Sequence, residues 1–303
     1  MAGHSANYRG ILAMIGACGC FSANDALTKL AAIDLPVSEI VAIRGFFTLL
    51  FASLIIAVRG ETDRLPRIRN PWVVLRALIE GFTGVLIIYA LSLMPIADLT
   101  AILLAQPFLM TLVGVTLLGE QVGWRRWAAV VAGFVGVLLV IKPATPAFDS
   151  VSLVALIATV FVLARDLLTR RIPAAVPTTI ITFATALASV PIGVAGLLAE
   201  PWKVPPLVPF LVVVASAVFL VFAFILMVIA FRGTDVSSVS PFRYSLVVFA
   251  VIFGIFLFGE IPDAVSFAGM GMIVAAGIYM LHRETMRRRE RSGPPVVAVE
   301  PPH

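Results

Sequence analysis

Apolar runs of about twenty residues recur along the whole chain, separated by short polar, Pro-rich or Gly-rich breaks. A helix needs about 20 mostly apolar residues to cross a bilayer. Cutting at the breaks predicts ten such helices, near residues 9–31, 37–58, 72–94, 97–118, 124–141, 150–171, 178–199, 208–230, 235–258 and 263–281. Strands of a membrane barrel would alternate apolar and polar residues in strips of roughly ten, and that alternation is absent. The first run follows Arg9 as a secretory signal would, but its length, its polar end at Asn24, Asp25 and Lys29, and the runs that follow predict a retained helix.

A longer regularity divides the chain. Asp25-Ala26-Leu27-Thr28-Lys29 returns as Asp166-Leu167-Leu168-Thr169-Arg170, 141 positions later, and Ala90/Ala230, Gly119-Glu120/Gly259-Glu260 and Gly136/Gly277 keep nearly the same offset. The expected organisation is a five-helix repeat over 1–143, a linker at 144–149, a second five-helix repeat over 150–281 and a basic tail, 282–303, expected to be disordered. Five is odd, so the second repeat enters the membrane from the opposite side. The predicted fold class is an all-α integral membrane protein of ten transmembrane helices, two inverted repeats around a central cavity.

Composition agrees: 60% of residues are hydrophobic and 13% charged, against roughly 25% charged in soluble domains, and the mean hydropathy is +1.05. The 22 basic residues, except Lys29, Arg44, Lys142, Lys203 and Arg243, fall in segments on one side of the predicted topology. The positive-inside rule makes that side cytoplasmic and puts both termini there, as expected in a bacterial-type inner membrane. Arginines spread over separate loops do not make a nucleic-acid face, so the expected partners are lipid and a small molecule. The three histidines, His4, His282 and His303, lie near the termini. With no phosphate loop, nucleophile elbow or His-Glu-x2-His helix, the chain lacks the residues of an ATPase, hydrolase or metalloenzyme, and no cofactor or metal is expected. Cys18 and Cys20, two apart, point to different faces of the first helix and read as small packing residues.

Charges inside spans carry the candidate chemistry, because each costs a few kcal/mol there and tends to face a cavity or a partner. The first helix holds Asn24 and Asp25, the second Arg44 and the third Glu80, and Arg44 and Glu80 are expected to neutralise each other. Gln106 and Pro107 in the fourth helix, and Ser240, Pro241, Arg243 and Tyr244 in the ninth, mark proline kinks with polar neighbours. Arg243 beside such a kink suits a carboxylate, and equally suits an ion pair with Asp25, Glu80 or Asp235. Thr178, Thr179, Thr182 and Thr185 form a stripe for interhelical hydrogen bonds, and Phe210, Phe219, Phe222 and Phe224 could line an apolar pocket. The small-residue pairs Ala129/Gly133, Ala132/Gly136 and Gly271/Ala275 predict close packing of the fifth and tenth helices, within one chain or across a homodimer.

Thr28-Lys29, Arg44, Tyr89-Ala90-Leu91, Gln106-Pro107-Phe108, and Leu118-Gly119-Glu120 followed by Trp127 and Gly133/Gly136, with Phe258-Gly259-Glu260 and Gly277 as a second copy, give the sequence over about 9–281 a family likeness. It resembles the EamA-type drug/metabolite transporter superfamily and, within it, the YddG-like aromatic amino-acid exporters. The resemblance implies ten helices around a cavity and export of amino acids or other metabolites. The expected function is alternating-access secondary transport exporting amino acids, aromatic or neutral. The alternative is another metabolite, such as S-adenosylmethionine or a nucleoside derivative. A lipid-acting membrane enzyme or a structural or lipid-scrambling protein are the competing classes. The candidate substrate site sets Arg243 and Asn24/Asp25 against a carboxylate and an ammonium, with Tyr89, Gln106 and Phe222 along a side chain. Glu80, Ser240 and Tyr244 complete it, and Pro107 and Pro241 are the hinges. The second half has Arg243 where the first has Leu103, so the halves are not equivalent.

Overall fold

The computed structural model describes residues 2–118, 123–142, 150–202, 204–231 and 239–291. Among them ten helices are long and apolar enough to cross a membrane: Tyr8–Ala31, Val37–Val58, Pro71–Leu93, Ile96–Thr116, Trp124–Ile141, Ser150–Thr169, Thr178–Leu198, Leu207–Phe231, Ser240–Phe258 and Ala264–Arg283. The elements are α1 (Ala2–Ala31), α2 (Val37–Val58), α3 (Pro71–Leu93), α4 (Ile96–Leu103), α5 (Gln106–Leu118), α6 (Trp124–Ile141), α7 (Ser150–Thr169), α8 (Thr178–Ala195), α9 (Leu207–Phe231), α10 (Ser245–Phe258) and α11 (Ala264–Arg291). Gly119, Glu120, the linker 144–149, Lys203, Asp235 and the tail beyond Arg291 lie outside the described residues.

Local chemistry sets the ends. Asn70 accepts a hydrogen bond from the Trp72 N–H at 3.0 Å, with Pro71 behind it, and so caps α3. Asp263 accepts from the Ser266 N–H at 2.8 Å ahead of α11. Gly259, at φ 66°, ends α10 in the left-handed region. The fourth span breaks between α4 and α5 where Gln106-Pro107 follows, because proline cannot donate to a carbonyl four residues back and crowds it. Pro241 lies in the 3-10 turn Ser240–Tyr244, which follows the helical Val239 and precedes α10, so regular α-helix is interrupted at the expected kink. Arg283 to Arg291, expected in a disordered tail, instead continue α11, since good helix formers run on until Gly293-Pro294.

The principal helix pairs join the first half of the chain to the second: α1 packs on α9 and α10, α2 on α8 and α9, α3 on α7 and α8, α4 on α10 and α7, and α6 on α11. The interior is therefore built between the halves. The α6–α11 pair packs as closely as its small residues predict, and within one chain. The contact falls on Gly136 and Gly269, where a Cβ on Gly269 would stand 2.6 Å from the Gly136 carbonyl oxygen. Gly271, expected at this contact, has nothing within 4 Å of where its Cβ would be. Gly133 serves a different partner, since the Phe108 ring occupies its missing side chain.

Candidate functional site

Buried charge collects in three tiers along the bundle. At one end, Lys29 at the close of α1 pairs with Glu260 after α10 and donates to the Met94 carbonyl at 2.6 Å. The second Glu260 oxygen accepts the Ile96 N–H at 3.1 Å, so one carboxylate ties α1 to the start of α4. Lys142 pairs with Asp263 beside it. That ammonium, with the Ser266 N–H, holds the exposed Asp263 carboxyl down to about 2.

Towards the other end lies a network that joins the halves. Glu80 of α3 pairs with Arg165 of α7 at 3.0 Å and stands 3.9 Å from Arg76 one turn away. Arg165 also reaches Asp166 at 2.8 Å. Asp166 accepts from the Gln106 amide, and Arg76 donates to Thr185 of α8 and, at 3.3 Å, to Thr169. Gln106 is 8% exposed, and its amide is spent holding Asp166. The expected Arg44–Glu80 ion pair is absent, because Glu80 is taken by Arg165. Arg165 reads as a loop charge in the sequence but forms the hub here. The signal that could have found it was its place beside Asp166 in the repeated motif. From the threonine stripe, Thr179 reaches Glu61 and Thr185 takes Arg76, while Thr182 bonds back to the Thr178 carbonyl.

Between these tiers sit Asn24, Asp25 and Arg44. The Asn24 amide donates to Asp25 at 2.9 Å. Arg44 on α2 lies against α3 at Gly84, where a Cβ would stand 3.4 Å from its Nη2. Among the described residues Arg44 makes no ion pair within 4.0 Å. Four buried groups nearby in sequence are also unsatisfied: the Asn24 carbonyl and the hydroxyls of Ser22, Thr28 and Thr48. Elsewhere several hydroxyls return to a backbone carbonyl four residues back, as Thr83, Thr111, Thr159 and Ser189 do, while those of Tyr244 and Ser245 are unpartnered as well. An unsatisfied buried polar group costs about 1–3 kcal/mol and an unpaired charge at membrane depth at least as much. The middle tier thus carries polar groups unmatched by protein partners, at a cost.

The remaining candidates lie apart from this tier. Arg243 is exposed in the 3-10 turn ahead of α10 and pairs with neither Asp25 nor Glu80, while its carbonyl accepts from the Cys18 thiol at 3.4 Å, near the middle of the first span. Ser240 is half-buried in the same turn. Tyr244 is buried, its hydroxyl lodged where Gly277 lacks a side chain. Tyr89 and Phe222 are 43% and 54% exposed. From the phenylalanines of α9, Phe210 and Phe224 serve packing, edge to face with Phe47 and Phe21. An open groove of about 380 Å³ lies away from the charges, between α6 and α11, lined by Trp124, Arg125, Ala132, Ala275 and Tyr279 among others. Among the described residues no three His, Cys, Asp or Glu side chains gather to hold a metal ion.

Comparison with known proteins supplies context. The model of the EamA-like transporter family matches twice, over residues 8–142 and 150–282. The S-adenosylmethionine uptake transporter of Rickettsia felis is 26% identical over 280 residues, covering 89% of this chain and 92% of that protein. The pseudopaline exporter CntI of Pseudomonas aeruginosa is 28% identical over 276 residues, covering 89% and 94%. A crystal structure at 22% identity superposes with a TM-score of 0.64 over 95% of this chain and 100% of the other, a likeness of fold.

Proposed function

The chain belongs to the EamA-like transporter family, and from that premise we propose that it carries an amino-acid-derived metabolite of the S-adenosylmethionine kind across the membrane by alternating access. It is a multi-pass membrane transporter of small metabolites and not an enzyme. The observation that carries the finer reading is the middle tier, where Asp25 and Arg44 stay unpaired between two tiers of satisfied charge. The double match of one family model supports reading the halves as inverted repeats, which exchange conformations about a site near the midplane. In that reading Lys29–Glu260 closes one mouth, and Glu80, Gln106 and the Arg165 hub brace the other. Arg243, whose carbonyl meets Cys18 midway along the first span, stands near the midplane, and the Pro107 break gives α4 and α5 freedom to move. In that reading both termini are cytoplasmic in an inner membrane, which the distribution of basic residues supports.

Labelled S-adenosylmethionine in proteoliposomes tests the substrate. Counterflow saturating with S-adenosylmethionine supports it, and no movement overturns it. Export of aromatic or neutral amino acids is the second reading, favoured by similarity to a relative named as an exporter, and the same vesicles loaded with those amino acids decide between the two. A homodimer, in this reading, uses the outward groove of α6 and α11, because Gly136 and Gly269 are already engaged within the chain. An Ala275→Cys variant that crosslinks in membranes would detect it, and a monomer alone would remove it.

A further inference from the structure

We propose that the groove between α6 and α11 is a binding site for one anionic phospholipid, with an acyl chain along its floor and the phosphate held by Arg125 and Arg283. Such a site lies apart from the charge tiers and holds whichever metabolite is carried.

The site begins as a cavity. α6 and α11 touch at Gly136 and Gly269, and one turn beyond that contact a groove of about 380 Å³ opens over Ala132, Met272 and Ala275. From there it runs to Trp124, Arg125 and Tyr279. All of its lining residues fall within the two spans Trp124–Ile141 and Ala264–Arg283, and Trp124, Ala275 and Tyr279 are exposed, so the groove faces the bilayer. The helix rise between Trp124 and Ala132 gives it a length of about 12 Å, close to the roughly 15 Å of hydrocarbon in one leaflet. An alanine-rich floor of that depth offers an acyl chain close contact along its length and asks it to satisfy no polar group.

The charged end decides which lipid fits. Arg126 is taken, since it donates to Thr111 at 3.0 Å. Arg125 instead lies over the Trp124 ring, 5.4 Å from its centre, and makes no ion pair among the described residues. Arg283 stands one turn after Tyr279 on α11, half-buried, with an Nε that has no hydrogen-bond partner. Beyond it α11 runs on to Arg291, two turns past its span. This end of the two helices therefore holds Arg125, Arg126 and the five arginines from Arg283 to Arg291, against Glu284 and Glu290 alone. Guanidinium groups match phosphate oxygens, Trp and Tyr settle at headgroup level, and an excess of basic residues there selects an anionic lipid over a zwitterionic one. A second copy of the chain is the competing occupant. Sharing the same orientation in the membrane, it would meet the groove about a two-fold axis and set Arg125 against Arg125, a like-charge contact.

The test titrates the delipidated full chain in detergent with phosphatidylglycerol or phosphatidylcholine of the same acyl chains, and counts bound lipid by native mass spectrometry. The wild type should retain one phosphatidylglycerol at least tenfold more tightly than phosphatidylcholine. Arg125→Gln and Arg283→Gln should each weaken phosphatidylglycerol roughly fivefold and leave phosphatidylcholine unchanged, while Arg64→Gln, the same charge change on an exposed loop, should alter neither. Ala275→Phe fills the groove and should weaken both lipids; should that variant not fold, the three arginine variants decide alone. Equal retention of the two lipids by the wild type, or a loss in Arg64→Gln as large as in Arg125→Gln and Arg283→Gln, would overturn the site, the second by reducing it to diffuse attraction. So would a folded Ala275→Phe that keeps its lipid, or an Ala275→Cys dimer that crosslinks and excludes lipid, which would give the groove to a second copy.

Discussion

Two glycines of α11 separated by one residue should respond to the same change with opposite sign. At Gly269 an added methyl would lie 2.6 Å from the Gly136 carbonyl oxygen, 2.9 Å from a Val140 methyl and 3.0 Å from the Leu139 Cβ. Comfortable contact needs about 3.4 Å or more, and the oxygen belongs to backbone that no rotamer change can move. Gly269→Ala must therefore spread α6 from α11 by several tenths of an ångström, at about 1–3 kcal/mol for an overpacked site. At Gly271 nothing lies within 4 Å, so Gly271→Ala meets open space and lowers the backbone entropy lost on folding, a gain of about 0.5–1 kcal/mol in a helix. The assay is thermal unfolding of the purified protein in one detergent, followed by tryptophan fluorescence and repeated by protease resistance. At about 2–4 °C per kcal/mol for a domain of 150–250 residues, the variants should separate by several degrees. A neutral Gly269→Ala, or equal losses at both positions, would refute the geometry of the crossing.

Other consequences follow from the charge tiers. Glu80→Gln should destabilise the protein by about 2 kcal/mol, because it leaves Arg165 and Arg76 short of an acceptor. A double-mutant cycle with Arg165→Gln should give a coupling of at least about 1 kcal/mol in chemical denaturation, and additivity would remove the pair. Asp263 titrates at about 2 in the folded protein against an ordinary 3.8. Its stabilising effect is thus complete above the ordinary value and fades as pH falls from there towards 2. The wild-type midpoint should drop across that window more steeply than that of Asp263→Asn, and parallel curves would count against the Lys142 pairing. Arg243→Ala should raise the KM for transport a few-fold at most, less than Arg44→Gln, since its exposed guanidinium touches neither Asp25 nor Glu80; the reverse order in initial-rate measurements would assign substrate recognition to Arg243 in place of Arg44.

Much of the fold was legible because lipid makes it local. A run of apolar residues either is or is not long enough to cross, and the spans match the expected bounds within a few residues, the expected start of the ninth lying outside the described residues. The small residues of the fifth and tenth helices announced a close contact correctly, but composition cannot say which glycine faces the partner. Gly269 and Gly271 are about 200° apart around one helix, so only the rotation of α11 selects between them.

The site was legible only in kind. That Asn24, Asp25, Arg44 and Glu80 matter follows from the cost of polar groups in a membrane, whereas their partners do not. Glu80 finds Arg165 across 85 positions and Lys29 finds Glu260 across 231, and no local pattern distinguishes those choices from Glu80 with Arg44. The sequence by itself determined the spans, the division into two similar halves and the family. The tertiary structure decided which charges are satisfied and which are left open, because pairing depends on how helices from opposite halves are rotated and stacked against one another, and that packing is shared by the whole bundle.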